Sequence, residues 1–222
     1  MKARFLAIAF VVVFGILSCN RKSEVEKTEQ LASDEVKVDT SNAVKIDGFW
    51  AKPKPSFDLQ SVEKSGSPDT LKLVTCAKFV YEPFGQLESA DDFPKSHLRN
   101  FSAVEKTVKA DGIDYKIQSL KLGSSRLVLF FDQGDEAETH SYILGGEIDD
   151  ESVLFADGIQ IGMTKQDFLN TFFDDFRLTD FDRFEVVQLI SCVDGISHLY
   201  TFKNQELAMV LFKTDTSLPT NL

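Results

Sequence analysis

Apolar residues fall in three regimes along the chain. Phe5–Leu17 is an unbroken apolar run with no charge. Asn20–Gly48 is dominated by Glu, Lys, Ser, Asp and Thr and has no aromatic residue. From Phe49 onward short apolar runs alternate with polar positions, the signature of a packed domain. Lys116–Leu122, Leu127–Asp132, Phe184–Ser191 and Leu199–Phe202 read as strands, with Gly123-Ser124 and Asp194-Gly195 as the turns between them. Tyr142–Leu144 and Leu207–Lys213 add one strand each. Phe168, Leu169, Phe172, Phe173 and Phe176 recur at helical spacing behind Thr164, which suits a helix N-cap with Asp167 in the first turn. Pro53-Lys54-Pro55 and Ser65–Pro68 read as loops, and Val44–Trp50 as either a first strand or the end of the polar segment.

The pattern repeats. Ser89-Ala-Asp-Asp92-Phe93 and Thr164-Lys-Gln-Asp167-Phe168 share a capping arrangement, and the same offset pairs Leu98 with Phe173 and Phe101 with Phe176. Gly123–Phe130 then aligns with Gly195–Phe202 at an offset three residues shorter. Pro94 falls in the first turns of the earlier copy and bends or delays its helix. Each copy reads as a short helical segment followed by an antiparallel meander. The expected fold class is α+β, with one repeat over 49–150 and a second over 151–222.

The first segment is a targeting signal. Lys2 and Arg4 precede the apolar run, which is shorter than the roughly 20 residues a membrane-spanning helix needs. Ile16-Leu17-Ser18-Cys19 resembles the lipobox of bacterial lipoproteins. That resemblance implies cleavage after residue 18, lipid on Cys19 and a membrane anchor of several acyl chains. Asn20 after the cysteine points to the outer membrane. Residues 19–48 become a lipidated acidic tether, too polar to bury its own core, with a reach on the order of 25–30 Å.

Charge and chemistry narrow the function. The chain carries −11, and losing Met1–Ser18 with its two cations leaves −13. Such a chain repels nucleic-acid phosphates, which excludes a nucleic-acid partner. Cys76 and Cys192 remain after Cys19 is assigned to lipid, as a disulfide in an oxidising compartment or as two buried thiols. His97, His140 and His198 are isolated and read as surface or helix-face residues, and no metal-ligand spacing, nucleophile elbow or phosphate loop is present. The acidic runs 132–136 and 147–151 lack calcium-loop spacing and read as solvated loops. No cofactor, metal or catalytic residue is expected. Trp50, Phe181 and Phe184 stand beside charged residues in expected loops and form a candidate aromatic interface.

Gly158-Ile-Gln-Ile-Gly162-Met163-Thr164 resembles the start of the SmpA/OmlA (BamE-like) lipoproteins, and Tyr200–Phe212 resembles the later strands of that family. The resemblance covers roughly residues 157–215 and implies the unit that beta-lactamase inhibitory protein carries twice in tandem. At Phe173-Asp174-Asp175-Phe176 the chain departs from the family, which has a small residue and Gly-x-Pro there. The resemblance therefore transfers a fold and not a role. The expectation is a lipid-anchored, non-catalytic envelope module that binds another protein. The competing expectations are an inhibitor of a secreted enzyme, and a small-ligand binder or enzyme with a groove between the repeats.

Overall fold

The computed structural model describes residues 41–46, 48–63, 67, 69–131, 141–175, 181–193, 195–216 and 218. The cleavage site, Cys19, the tether up to residue 40, the run 132–136, His140, Phe176 and Asp194 lie outside the described residues. The fold is mixed α+β and rich in strands. In chain order the elements are β1 (Val44–Ile46), β2 (Phe49–Pro53), β3 (Leu59–Glu63), β4 (Thr70–Thr75), α1 (Lys78–Tyr81), β5 (Ser102–Ala110), β6 (Ile113–Leu122), β7 (Ser125–Leu129), β8 (Ile143–Ile148), α2 (Lys165–Phe172), β9 (Phe173–Asp175), β10 (Val186–Ser191), β11 (Ile196–Lys203) and β12 (Glu206–Thr214). Among the described residues no helix is long and apolar enough to cross a membrane.

One nine-stranded sheet runs β3-β4-β10-β11-β12-β8-β7-β6-β5, and β1-β2-β9 form a small second sheet. The large sheet contains two antiparallel meanders, β5–β8 and β10–β12, which meet where β12 pairs antiparallel with β8. β4 joins β10 in parallel, so both halves of the chain share one sheet. The domain begins earlier than residue 49. Val44–Ile46 already pairs with β2, and Ile46 is buried because Val44 and Ile46 flank an outward Lys45.

Alternation decides the two faces of the large sheet. Leu71, Leu73, Val187, Leu189, Ile196, Tyr200, Val210 and Phe212 are buried on one face. α2 lays Phe168 and Phe172 on it, with the Phe168 ring 4.6 Å from Tyr200 and 5.3 Å from Phe202. α1 adds Phe79 and Val80, and the loops add Phe84 and Phe155, stacked 5.0 Å apart. Removing one such ring costs about 3–5 kcal/mol.

Both N-caps form. The Thr164 side chain accepts from Asp167 N at 3.1 Å and donates to the Asp167 carboxylate at 2.7 Å. At Ser89 the Asp92 carboxylate accepts from Ser89 N at 3.0 Å, closing a capping box. The helix behind Ser89 is a 3-10 turn, Ala90–Lys95, since Pro94 offers no N–H and crowds an α turn. α2 ends at Phe172, and Phe173 opens β9 while staying buried.

The expected equivalence of Gly123–Phe130 with Gly195–Phe202 does not hold residue for residue. Leu127 lies on the helix-covered face, fully buried, whereas Leu199 lies on the other. β6 and β7 turn tightly, with Leu122 opposite Ser125, but β10 pairs Ile190 with Ser197 across a longer connection. A slip of one residue moves a strand's side chains to the opposite face.

Candidate functional site

The face away from the helices carries the first candidate surface. Val74, Val186, Ile190, Leu199, Met209 and Leu211 alternate with the buried positions of β4, β10, β11 and β12 and are only half-buried. None belongs to either cluster of buried side chains or packs against one. The registers align them in rows. Gln188, Leu199, Leu211, Glu147 and Arg126 stand opposite one another across five strands. Beside them run Val74, Ile190, Ser197, Lys213 and Gly145.

Where Gly145 leaves the face without a side chain, a concavity of about 760 Å³ opens, bounded by Arg126, Glu147, Leu211 and Lys213. Gly146 is required there. Its φ is +149°, and a Cβ would stand 2.3 Å from the Arg126 carbonyl oxygen. In these two rows Lys72, Arg126, Lys121 and Lys213 face Glu147 and, at the β3 edge, Glu63. On a chain of net charge −11 these two rows are cationic.

At one end of the sheet the face is covered. Leu218 packs with Ile117, Val128 and Leu144, and Val108, Tyr115 and Phe130 close around them.

The second candidate is a cleft of about 1130 Å³ beside the joint between the halves. Tyr81 and Glu82 from α1 and its cap, Tyr115 from β6, Phe130 after β7, Tyr142 before β8 and Asp215 after β12 line it. The Tyr142 hydroxyl accepts from Phe84 N at 3.1 Å and donates to Gly85 O at 2.9 Å, and burial holds it well above the usual phenol range. Glu82 pairs with Lys78 at 3.1 Å.

Cys76 and Cys192 form a disulfide at the edge of this cleft. Each cysteine follows the last residue of its strand, and Thr75 and Ser191 are register partners in the parallel pair β4–β10. The two Cα atoms are 5.1 Å apart. The bond ties the two halves at the point where their strands run side by side.

The aromatic interface expected from the sequence does not assemble. Trp50 is 48% exposed on β2, with Lys45 over its ring at 6.0 Å. Phe181 and Phe184 are buried, 5.9 Å apart, as part of the core. Their charged neighbours Asp182 and Arg183 take the outward positions, and the turn folds both rings in. Trp50 is the one residue of the three with an exposed ring.

Two buried basic side chains escaped the sequence. Lys165, at the start of α2, is 2% exposed and donates to Asp182 O at 3.2 Å. Burial lowers its ammonium pKa, opposed by Asp182 and Glu185. His198 is fully buried on β11 rather than on a surface, its Nδ1 3.4 Å from the Tyr200 hydroxyl. Burial alone lowers its pKa to about 3, so it is neutral at pH 7. Its placement was legible only as the inward member of the alternation Ile196, His198, Tyr200, Phe202. His97 is exposed. Among the described residues no group of His, Cys, Asp or Glu is arranged to hold a metal ion.

No protein-family model, curated protein or solved structure matches the chain.

Proposed function

We propose that the chain is a non-catalytic protein-binding module of the cell envelope, anchored in the outer membrane by lipid on Cys19, that docks its partner on the open face of the large sheet. The lipobox-like Ile16–Cys19 and the polar stretch behind it support the anchor and tether. Two meanders, each preceded by a capped helical turn, support a tandem of units like those of beta-lactamase inhibitory protein. One observation carries the docking reading: six half-buried aliphatic and methionine side chains lie in register on a part of the face that no described element covers. Contiguous apolar area ringed by charge marks interaction surfaces. The glycine concavity offers a socket for one anchoring side chain, and the cationic rows favour an acidic rim on the partner. An inhibitor of a secreted enzyme would use the same face.

The test is co-purification of the tagged full chain from its own envelope. Wild type should retain a specific protein that the Leu199→Glu, Leu211→Glu double variant loses, with an unchanged urea midpoint for unfolding. Recovery of no specific protein, or equal retention by the variant, contradicts the reading.

The cleft favours a second reading, a small-ligand site between the halves. Its volume lies just above the usual range of ligand pockets, and aromatic walls with a few polar groups are their usual lining. Leu87→Trp would narrow it. Loss of function on narrowing the cleft, with partner capture through Leu199 and Leu211 intact, selects this second reading.

A further inference from the structure

The large sheet ends in two unlike edges. β3 is five residues long, and its register breaks between Leu59 and Ser61. β5 is nine residues long and pairs with β6 without a break from Ser102↔Lys121 to Ala110↔Ile113. It contains no proline, and its first four residues are all exposed, Val104 by 57%. Natural edges are blunted by short strands, bulges, proline or charged side chains, lysine above all. β3 has the first two devices, and β5 has only the last, in Glu105, Lys106 and Lys109. Along β5 every second residue turns its N–H and C=O away from β6, and no described strand takes them.

We infer that β5 pairs antiparallel with β5 of a second copy of this chain, about a two-fold axis through Thr107, continuing the sheet across both molecules. The register follows from faces and charges. An axis perpendicular to the sheet keeps the helix-covered faces on one side, so opposed residues must share a face, and the axis must pass through a residue. An axis at Glu105 or at Lys106 sets that residue against its own copy, like charge on like charge. An axis at Thr107 sets Thr107 against Thr107, and Glu105 against the partner's Lys109, twice. Lys106 then meets the partner's Val108, and Val104 the partner's Ala110. The lysines that would guard this edge in other registers are each met by an acid or an aliphatic side chain. Axes at Val104 or Val108 also avoid like charges, but each pairs only five residues, Ser102–Lys106 or Lys106–Ala110, against seven for Thr107, Val104–Ala110.

Glu105 remains available for this contact. Its side chain is 51% exposed, although Lys116 approaches at 3.1 Å and Gln118 donates at 3.3 Å. Each carboxylate oxygen accepts more than one donor.

The test places Thr107→Cys, a position on the axis, in the full exported chain and reads covalent dimer on a non-reducing gel. Thr107→Cys should give dimer, and Ile113→Cys, exposed but off the edge, should not. Adding Lys109→Glu sets two acids against Glu105 and should lower the dimer yield about tenfold, for two charge pairs of up to ~1 kcal/mol each. Adding Glu105→Lys to that chain reverses both charges and should restore the yield. A monomeric Thr107→Cys chain overturns the inference. So does a dimer that is indifferent to Lys109→Glu, or one that the double reversal does not rescue.

Discussion

Acidification should unfold this protein through His198 more steeply than its carboxylates alone would allow. The imidazole lies among Phe79, Tyr200 and Phe212, with the Phe212 ring 4.7 Å away. Its Nε2 has no hydrogen-bond partner among the described residues, so a proton added there has no acceptor. Burial lowers the folded pKa from 6.5 to about 3. The unfolded state therefore binds this proton more readily at every pH between those values. Stability from the neutral ring is complete above pH 6.5 and is lost as pH falls toward 3. Each pKa unit is worth about 1.4 kcal/mol. Linkage then removes about 3 kcal/mol between pH 7 and pH 4, approaching about 5 kcal/mol at the limit. Carboxylates titrate in the same range, so the comparison needs a partner lacking only the imidazole. His198→Leu keeps a side chain of similar volume and removes the proton site. At pH 7 it should change stability by no more than about 1 kcal/mol, since it removes the unpaired nitrogen but also the neighbour of the Tyr200 hydroxyl. Urea unfolding of both chains at pH 7, 5.5 and 4, followed by circular dichroism, gives the two pH profiles. Wild type should lose about 3 kcal/mol more than His198→Leu by pH 4. Parallel profiles would refute the reasoning.

Three further outcomes follow from other parts of the structure. Replacing Cys76 and Cys192 by Ser opens a loop spanning a sequence separation of 116 residues; the loss should be about 4–5 kcal/mol in urea unfolding by the loop-entropy account, and a change under 1 kcal/mol would show that the joint holds without the bond. Gly146→Ala drives a Cβ into the Arg126 carbonyl at 2.3 Å and the Leu127 Cα at 2.8 Å, on a backbone at φ +149°. It should cost about 3 kcal/mol or more and loosen β8 from β7, read as faster amide exchange in both strands. Lys165→Met keeps the buried stem and removes the desolvated charge, so stability at pH 7 should stay within about 1 kcal/mol of wild type, whereas Lys165→Ala should lose about 2 kcal/mol.

How much of this was readable depended on which residues carried a signal. β10 and β11 alternate buried and half-buried residues cleanly, so periodicity finds them. The caps at Ser89 and Thr164 are local chemistry and are equally plain. β5 is silent because an edge strand with Glu105, Lys106 and Lys109 has little core-facing pattern. β3 and β4 gain their place from a parallel pairing with β10, more than a hundred residues away, which no local window contains. The same pairing decides Cys76–Cys192, and sequence left that bond open between two states. From sequence Phe181 and Phe184 read as exposed because charged neighbours mark a loop, while a turn can alternate its side chains as a strand does and bury both rings. The two-residue turn at Gly123-Ser124 invited an alignment with Gly195 that the longer β10–β11 connection breaks. The open sheet face is invisible in sequence, since half-buried and buried aliphatic residues look alike until the covering elements are placed.

The central proposal is that the open sheet face meets a protein partner in the envelope, and photo-crosslinking from that face tests it most directly. A photoreactive residue is placed at Leu199 or Leu211, far from the β5 edge, in the full chain within its own membrane, and Ile113 serves as the exposed control. The account predicts one discrete adduct from Leu199 and Leu211 and none from Ile113. No adduct from the face, or the same adducts from all three positions, would contradict it.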